Sequence, residues 1–473
     1  MVSATQASSR PRPPFPVLPV NPHIFRAYDI RGVVETDLTP DVVQQIGLAL
    51  GTLYPASKTV VIGRDGRLSS PMMARNLGQG LQASGCRVID IGEVPTPVLY
   101  YATRSLDTGA GVMVTGSHNP PEYNGLKIIM GGKTLHGEAI QALCRRITTG
   151  PLHTGTGSLQ REEVLDSYLA RILEDVRLDR ALRVGVDCGN GVAGPAVLRL
   201  LDGLGCEVTG LYCEVDGNFP HHHPNPSDPE NLRELVRCVQ DHALDLGLAF
   251  DGDGDRLGVV DDRGRVLWAD RQMMLYARDV LSENPGAQVI FDVKSSKNLR
   301  DVIEQAGGRA VMWKTGHSLI KNKMAETGAL LAGELSGHVF FGDRWYGFDD
   351  ALYTASRLLE IIAGQPLSSS ELFASLPDDL CTPEIYVHLE QDGAQHAFMQ
   401  AFCRQVRLPG AQISTLDGVR AEYPQGWGLV RASNTTPSLV IRFEARTASA
   451  METIQAAFRE QLLKTDSGLD LPF

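Results

Sequence analysis

The feature that most constrains this chain is a pattern it runs through three times. A β-branched strand enters a polar turn at Val60-Val61-Ile62-Gly63-Arg64-Asp65, again at Val184-Gly185-Val186-Asp187, and again at Val289-Ile290-Phe291-Asp292. A helix-like stretch follows each. A glycine then opens a second strand, at Gly85-Cys86-Arg87-Val88-Ile89, Gly205-Cys206-Glu207-Val208 and Gly308-Arg309-Ala310-Val311-Met312. A third short strand closes each unit: Val112-Met113-Val114, Leu246-Gly247-Leu248-Ala249-Phe250 and Ala329-Leu330-Leu331-Ala332. Strands alternating with helices build parallel α/β sheets. Such sheets bind ligands beyond the carboxyl ends of their strands. Each third strand runs straight into a polar loop. The pattern therefore predicts three similar α/β domains with mixed, largely parallel sheets, each presenting one loop to a central cleft.

After about residue 378 the pattern changes. Ile385-Tyr386-Val387-His388-Leu389 and Leu439-Val440-Ile441-Arg442-Phe443 alternate like half-buried strands, and a helical stretch from Ala450 to Leu463 follows. This reads as a C-terminal α+β domain. At 473 residues the chain has room for four domains. The expected divisions are a disordered Ser- and Pro-rich tail over 1–22, then domains over 23–162, 163–265, 266–377 and 378–473. Thr39-Pro40, Ser70-Pro71 and Asp228-Pro229-Glu230 each read as an N-cap before a proline at the first helical position.

Bulk properties exclude several classes. A net charge of −12 argues against wrapping nucleic acid, which needs a basic face. It leaves anionic small molecules open, because clustered Arg and Lys in a cleft can oppose the global sign. No apolar run approaches a membrane span, and the first residues lack the apolar stretch of a secretory signal. None of the eight cysteines forms a C-x-x-C pair, so free, mostly buried thiols in a reducing compartment are expected. A cytoplasmic enzyme is the default.

Four loops carry the chemistry. Thr115-Gly116-Ser117-His118-Asn119-Pro120 offers one hydroxyl in a tight turn. A serine that accepts a phosphoryl group needs a metal or a positive field, which Lys127 and His118 could supply. Asp251-Gly252-Asp253-Gly254-Asp255-Arg256 places carboxylates at alternate positions, so that Asp251, Asp253 and Asp255 can converge on one hard cation such as Mg²⁺. Arg256 adds a fixed charge for phosphate. An EF-hand would want Gly at Arg256 and Glu at Asp262, which this chain lacks. In Gly333-Glu334-Leu335-Ser336-Gly337-His338, Glu334 and Ser336 are alternate residues suited to vicinal sugar hydroxyls. Arg431-Ala432-Ser433-Asn434-Thr435-Thr436-Pro437 combines a guanidinium, hydroxyls and an amide, the makings of a phosphate cradle.

Two other stretches compete. Gly189-Asn190-Gly191-Val192-Ala193-Gly194 matches G-x-G-x-x-G, and Glu214 lies about where a ribose-binding acid would fall. A dinucleotide-dependent dehydrogenase is thus the runner-up, but it leaves the serine and aspartate loops unused. His221-His222-His223 could bind metal, but adjacent histidines in a Pro-rich loop are more often simply exposed.

The four loops, in this order, resemble the signature loops of the α-D-phosphohexomutase superfamily. Phe25-Arg26-Ala27-Tyr28-Asp29-Ile30-Arg31-Gly32 and Gly426-Trp427-Gly428-Leu429-Val430 resemble its bacterial phosphomannomutase/phosphoglucomutase branch. The match runs from about Phe25 to the C-terminus, and Leu335 is a local variation. The resemblance implies four domains around a central cleft and interconversion of hexose 1-phosphate and hexose 6-phosphate. It implies a phosphoryl group on Ser117, and Mg²⁺ held by that serine with Asp251, Asp253 and Asp255. A hexose 1,6-bisphosphate would turn over in the cleft and serve as activator. Glu334 and Ser336 would hold hydroxyls common to both orientations. Arg431, Ser433, Asn434 and Thr435 would hold the phosphate that is not reacting. Tyr28, Lys294 and His317 would contact substrate. Arg31, Lys127, Arg256 and His338 would line the reacting end, with Arg31, Lys127 and His338 as candidates for proton transfer. The partners expected are small sugar phosphates, with no nucleic acid and no membrane, and the chain is expected to be a monomer. A phosphoglucosamine mutase or phosphopentomutase is the rival within the superfamily. A sugar-phosphate binder without catalysis is the rival outside enzymology.

Overall fold

The structure, a computed structural model, describes residues 19–55, 58–391, 393–434 and 436–473. The tail expected over 1–22 lies mostly outside them. Val20, counted with that tail, is instead buried in the first hydrophobic core beside Ile24 and Phe25. An apolar residue two positions before the Pro22–Ile24 turn has a core within reach and takes it.

Each of the three repeated units forms its own sheet, and the three share one arrangement. In the first sheet Gly111–Val114 runs parallel to Thr59–Arg64 and antiparallel to Tyr123–Met130. In the second, Leu246–Phe250 runs parallel to Arg183–Asp187 and antiparallel to Leu257–Asp261. In the third, Leu331–Gly333 runs parallel to Gln288–Asp292 and antiparallel to Val339–Phe341. The polar loop is in each case the hairpin between the parallel strand and its antiparallel neighbour. Three hairpins at the carboxyl ends of three equivalent strands are how one chain brings three different chemistries to one place. The strand leading into each loop is buried along its whole length or nearly so, as its apolar composition requires.

The fourth sheet is antiparallel through its main strands, in the order Leu380–Cys381, Ser438–Ala445, Gly426–Ala432, Val419–Tyr423, Gln412–Ser414. The helix Ala448–Thr465 packs on it through Ile454, Phe458 and Leu462. The first three domains are joined by a continuous apolar seam that includes Tyr101, Tyr168, Trp345 and Tyr353. The fourth domain has its own core and meets the third through Val293, Trp427 and Leu429.

Two of the three expected caps form: Thr39 accepts from Val42 N–H and Asp228 from Glu230 N–H. The third does not. The helix Ser70–Ala83 begins one residue earlier than expected, and the Ser70 hydroxyl donates to the Asp65 carboxylate instead. A buried carboxylate in reach is a stronger acceptor partner than a cap interaction with neutral amides.

Arg420 pins the fourth domain to the third. It lies 3.9 Å over the Trp427 ring and donates to the carbonyls of Val293 at 2.6 Å and Ser295 at 2.8 Å. Its guanidinium is buried and balanced by Glu422 at 2.9 Å. Arg420→Met should leave these two carbonyls without a donor while Arg300 still pairs with Glu422 at 2.8 Å, a loss of about 1–3 kcal/mol for each buried acceptor. Scanning calorimetry should show the transition of the fourth domain at lower temperature. An unchanged profile would mean that the domain does not lean on this contact.

Candidate functional site

The serine loop is tightened by residues the sequence reading passed over. Arg67 donates to the carbonyls of Pro120, Tyr123, Ser117 and Asn119 at 2.6–2.9 Å and pairs with Asp65 at 3.2 Å. A Cβ on Gly116 would meet the Arg67 guanidinium at 2.4 Å, so only glycine admits this clamp. Ser117 itself sits at φ 49°, a left-handed conformation that a serine adopts only when its surroundings impose it. Its hydroxyl donates to Asp251 Oδ2 at 2.9 Å and lies 3.2 Å from His118 Nδ1. A Cβ on Gly252 would lie 2.3 Å from the Ser117 carbonyl, so the aspartate loop can come this close only through glycine.

Asp251, Asp253 and Asp255 are fully buried, each with a carboxylate oxygen within 4.8 Å of the others'. Lys127 Nζ reaches Asp253 Oδ2 at 2.7 Å and also pairs with Asp255. Thr96 donates to Asp253 at 2.5 Å, and Asp251 Oδ1 accepts the N–H groups of Asp255 and Arg256. Burial and the neighbouring carboxylates of Asp253 and Asp255 push Asp251 well above the usual carboxylate range. Burial also opposes ionisation of Asp253, but Lys127 outweighs it and the net shift is downward. Asp253 Oδ1 and Asp255 Oδ1 are buried and have no hydrogen-bond partner among the described residues. Open carboxylate oxygens converging opposite a lysine are what a hard divalent cation would fill, so the residues present fit one.

His118 does not supply the positive field. Burial, then the charges of Arg256 and Arg31, hold its imidazole well below the usual histidine range. The charge comes from Lys127, raised by Asp253 and Asp255 against the effect of burial. Arg31 adds to it while donating to the Gly116 carbonyl at 2.6 Å and to Asn119 and Asp29. Arg256 Nε lies 3.0 Å from His338 Nε2, which joins the aspartate loop to the Gly333–His338 loop.

The far side of the cleft is built from the third and fourth domains. Glu334 is buried and accepts Gly316 N–H at 2.5 Å, while Ser336 is half-buried and gives its carbonyl to the Ser227 hydroxyl at 3.0 Å. Burial raises Glu334 above the usual carboxylate range. His317 stacks on His338 with ring centres 5.3 Å apart. Tyr28 donates to the Thr315 carbonyl at 2.7 Å, meets His317 edge-on and accepts from Asn434. Lys294 pairs with Glu384 at 3.0 Å, and Arg431 with Asp417 at 3.1 Å. The Ser433 hydroxyl accepts from Thr436 at 3.0 Å, while Thr435 lies outside the described residues. Arg67, Thr96, Asp349, Lys321 and Asp417 are the residues that sequence reasoning missed. The one local signal was the charged run Arg64-Asp65-Gly66-Arg67 at the end of a strand.

Both competing motifs are used up by the protein. Val192 N–H donates to the Gly252 carbonyl and Asn190 to that of Glu214, so the glycine-rich turn braces the aspartate loop. His222 lies 3.1 Å from the Asp187 carboxylate, and His221 stacks on Tyr212. All eight cysteines are free; four are buried and only Cys381 is exposed. Among the described residues no helix is long and apolar enough to cross a membrane.

Three like sheets, each delivering a hairpin loop to a buried serine–carboxylate–lysine cluster, define a four-domain α/β enzyme of phosphoryl transfer. The chain belongs to the phosphoglucomutase/phosphomannomutase family. Its α/β/α domain I matches residues 22–153, domain II 166–264, domain III 268–380 and the C-terminal domain 384–461. It is 54% identical over 460 residues to the phosphomannomutase/phosphoglucomutase of Pseudomonas aeruginosa, covering 97% of this chain and 99% of that one. It is 49% identical over 442 residues to the phosphoglucomutase of Neisseria gonorrhoeae, covering 92% and 96%. A crystal structure of a phosphoglucomutase/phosphomannomutase family protein from Burkholderia thailandensis superposes with a TM-score of 0.91 at 47% identity, covering 96% of this chain and all of that one. Family membership overturns the dehydrogenase reading.

Proposed function

We propose that this chain interconverts the 1-phosphates and 6-phosphates of glucose and mannose. Ser117 would carry the phosphoryl group, and a hexose 1,6-bisphosphate would reorient in the cleft between two transfers. The observation that carries this reading is the Ser117 hydroxyl 2.9 Å from Asp251, inside a buried cluster of three carboxylates. The names of its relatives support the substrate class.

Asp251, Asp253 and Asp255, with the Ser117 oxygen, would hold Mg²⁺, which when bound supplies Lewis-acid neutralisation of the transferring phosphoryl group. Lys127 and Arg256 stand beside the same oxygens as fixed charges. In the first transfer the phosphoryl group leaves Ser117 for a sugar hydroxyl, whose proton must go to a base. Arg31 is always charged and occupied by Gly116, Asn119 and Asp29, so it cannot take that proton. Lys127 is held protonated by its aspartates. His338 is the remaining acceptor of the three candidates. After the sugar turns over, the second phosphoryl group returns to Ser117 and the proton returns to the hydroxyl that is released.

Arg431, Ser433, Asn434 and Thr435 would hold the phosphate that is not reacting, with Lys294 beside them. Tyr28, His317, Glu334 and Ser336 would contact the ring. Removing a charged hydrogen-bond donor to a phosphate costs about 1.5–3 kcal/mol. Arg431→Ala should therefore raise KM for either sugar phosphate by roughly 10- to 100-fold, with kcat less affected. Steady-state kinetics decide this, and an unchanged KM would place the distal phosphate elsewhere. The function as a whole is tested by turnover of glucose 1-phosphate, mannose 1-phosphate, glucosamine 1-phosphate and ribose 1-phosphate with Mg²⁺ and a trace of glucose 1,6-bisphosphate. Preference for either of the last two would move the assignment to another branch of the superfamily. No turnover of any would overturn it.

A further inference from the structure

Asp349 belongs to none of the four loops, yet it lies at the centre of the histidine pair. Its Oδ2 is 3.2 Å from His338 Nδ1 and 3.3 Å from His317 Nδ1, and its Oδ1 accepts from Lys321 Nζ at 2.7 Å. All four side chains are buried or nearly so. Among the described residues none of these three buried atoms has a well-aligned hydrogen bond; their near polar contacts are one another and, for His338 Nδ1, Asp255 Oδ1 at 3.6 Å, so Asp349 is the nearer carboxylate to both rings. The carboxylate is fixed from behind. Asp349 bridges to Phe340 across the hairpin, and Asp350 caps the helix Ala351–Ala363 through Tyr353 N–H at 2.9 Å. Asp350 also receives Trp345 Nε1 at 3.0 Å and the Tyr168 hydroxyl at 2.7 Å.

We infer that Asp349 is the positioning residue that sets the tautomer of both His338 and His317. A carboxylate on Nδ1 selects the Nδ1–H form and leaves Nε2 with a lone pair. A second contact requires the same form at His338: Arg256 Nε–H donates to its Nε2, which a protonated Nε2 could not accept. His338 Nε2 can then receive the sugar hydroxyl proton once Arg256 turns from it to the phosphate, an assignment that rests on the reaction proposed above. His338, Asp255 and Asp349 also offer atoms within 4.8 Å of one another, as a second cation site would. The ammonium group of Lys321 on Asp349 opposes a further positive ion there, and the orienting role is the one this charge allows.

The test combines a spectrum and a rate on the full chain. Long-range ¹⁵N–¹H correlation spectra of protein labelled at histidine should show His338 and His317 as Nδ1–H tautomers, assigned with His338→Gln and His317→Gln. In Asp349→Asn both signals should shift toward mixed tautomers, because an amide can donate as well as accept. Turnover should fall by roughly 10²- to 10⁴-fold, with KM for the sugar phosphate changed only a few-fold. A wild-type His338 protonated at Nε2 would overturn the inference, and that measurement does not require the variant to fold. So would a folded Asp349→Asn variant with kcat within threefold of wild type. Absence of mutase turnover in the wild-type enzyme would instead overturn the proposed function, while the tautomer measurement would still stand.

Discussion

Ser117→Ala is expected to lower hexose-phosphate turnover by on the order of 10⁴- to 10⁶-fold, the loss seen when a nucleophile that acts with its partners as a unit is removed. The hydroxyl is the one group of the serine loop that touches the carboxylate cluster, and the left-handed backbone at φ 49° exists to aim it. Alanine should keep the turn, because Arg67 binds its carbonyls and not the side chain. Intact-protein mass spectrometry with peptide mapping supplies the second readout. Wild-type protein should carry one phosphoryl group on Ser117, lost on adding excess hexose phosphate, and Ser117→Ala should never acquire it. Near-normal turnover by a folded variant would remove Ser117 as the carrier.

The second large effect is expected at Lys127. Its ammonium is the counter-charge of a cluster taken out of water, so Lys127→Met should destabilise the metal-free protein by about 3–5 kcal/mol. The sign of the pH dependence follows from the shifts. Burial disfavours ionised Asp253, but Lys127 reverses the balance and depresses it. That stabilisation is present above the ordinary carboxylate range and is lost as pH falls through the depressed value. Without Lys127, Asp253 should join Asp251 among the raised carboxylates, and stability should fall as pH rises through their folded values. The gap in unfolding temperature between wild type and variant should therefore be widest near neutral pH and close on acidification. Mg²⁺ at about 100 times its Kd should return roughly 2.7 kcal/mol. A gap independent of pH would mean that Lys127 acts by packing and not by charge.

Much of this molecule was legible in its sequence because its constraints are local. An apolar strand that ends in Thr-Gly-Ser, Asp-Gly-Asp or Gly-Glu-Leu-Ser states its own period and its own polar terminus. The Asp251–Arg256 loop shows its chemistry within six residues, since three carboxylates on alternate positions can converge on one cation once they are buried together. The misread features were decided by competition over distance. Ser70 looks like a cap until Asp65 is seen beside it. His118 looks like a source of charge until it is buried with Arg256 and Arg31 around it. The glycine-rich turn at 189–194 has the spacing of a dinucleotide site, yet its backbone is spent on the aspartate loop.

The sequence by itself determined the three repeated α/β units, the fourth α+β domain, and the polar loops that follow their strands. Each of these is written in periodicity and in residues a few positions apart, where strand geometry leaves few alternatives. Tertiary structure alone decided which groups act together. Arg67 clamps a turn 50 residues downstream, Lys127 neutralises carboxylates 126 and 128 residues away, and Asp349 reaches histidines on two different elements. In a buried cleft the protonation of each group depends on which charges and donors lie within a few ångströms, and that distance is fixed only when the domains meet.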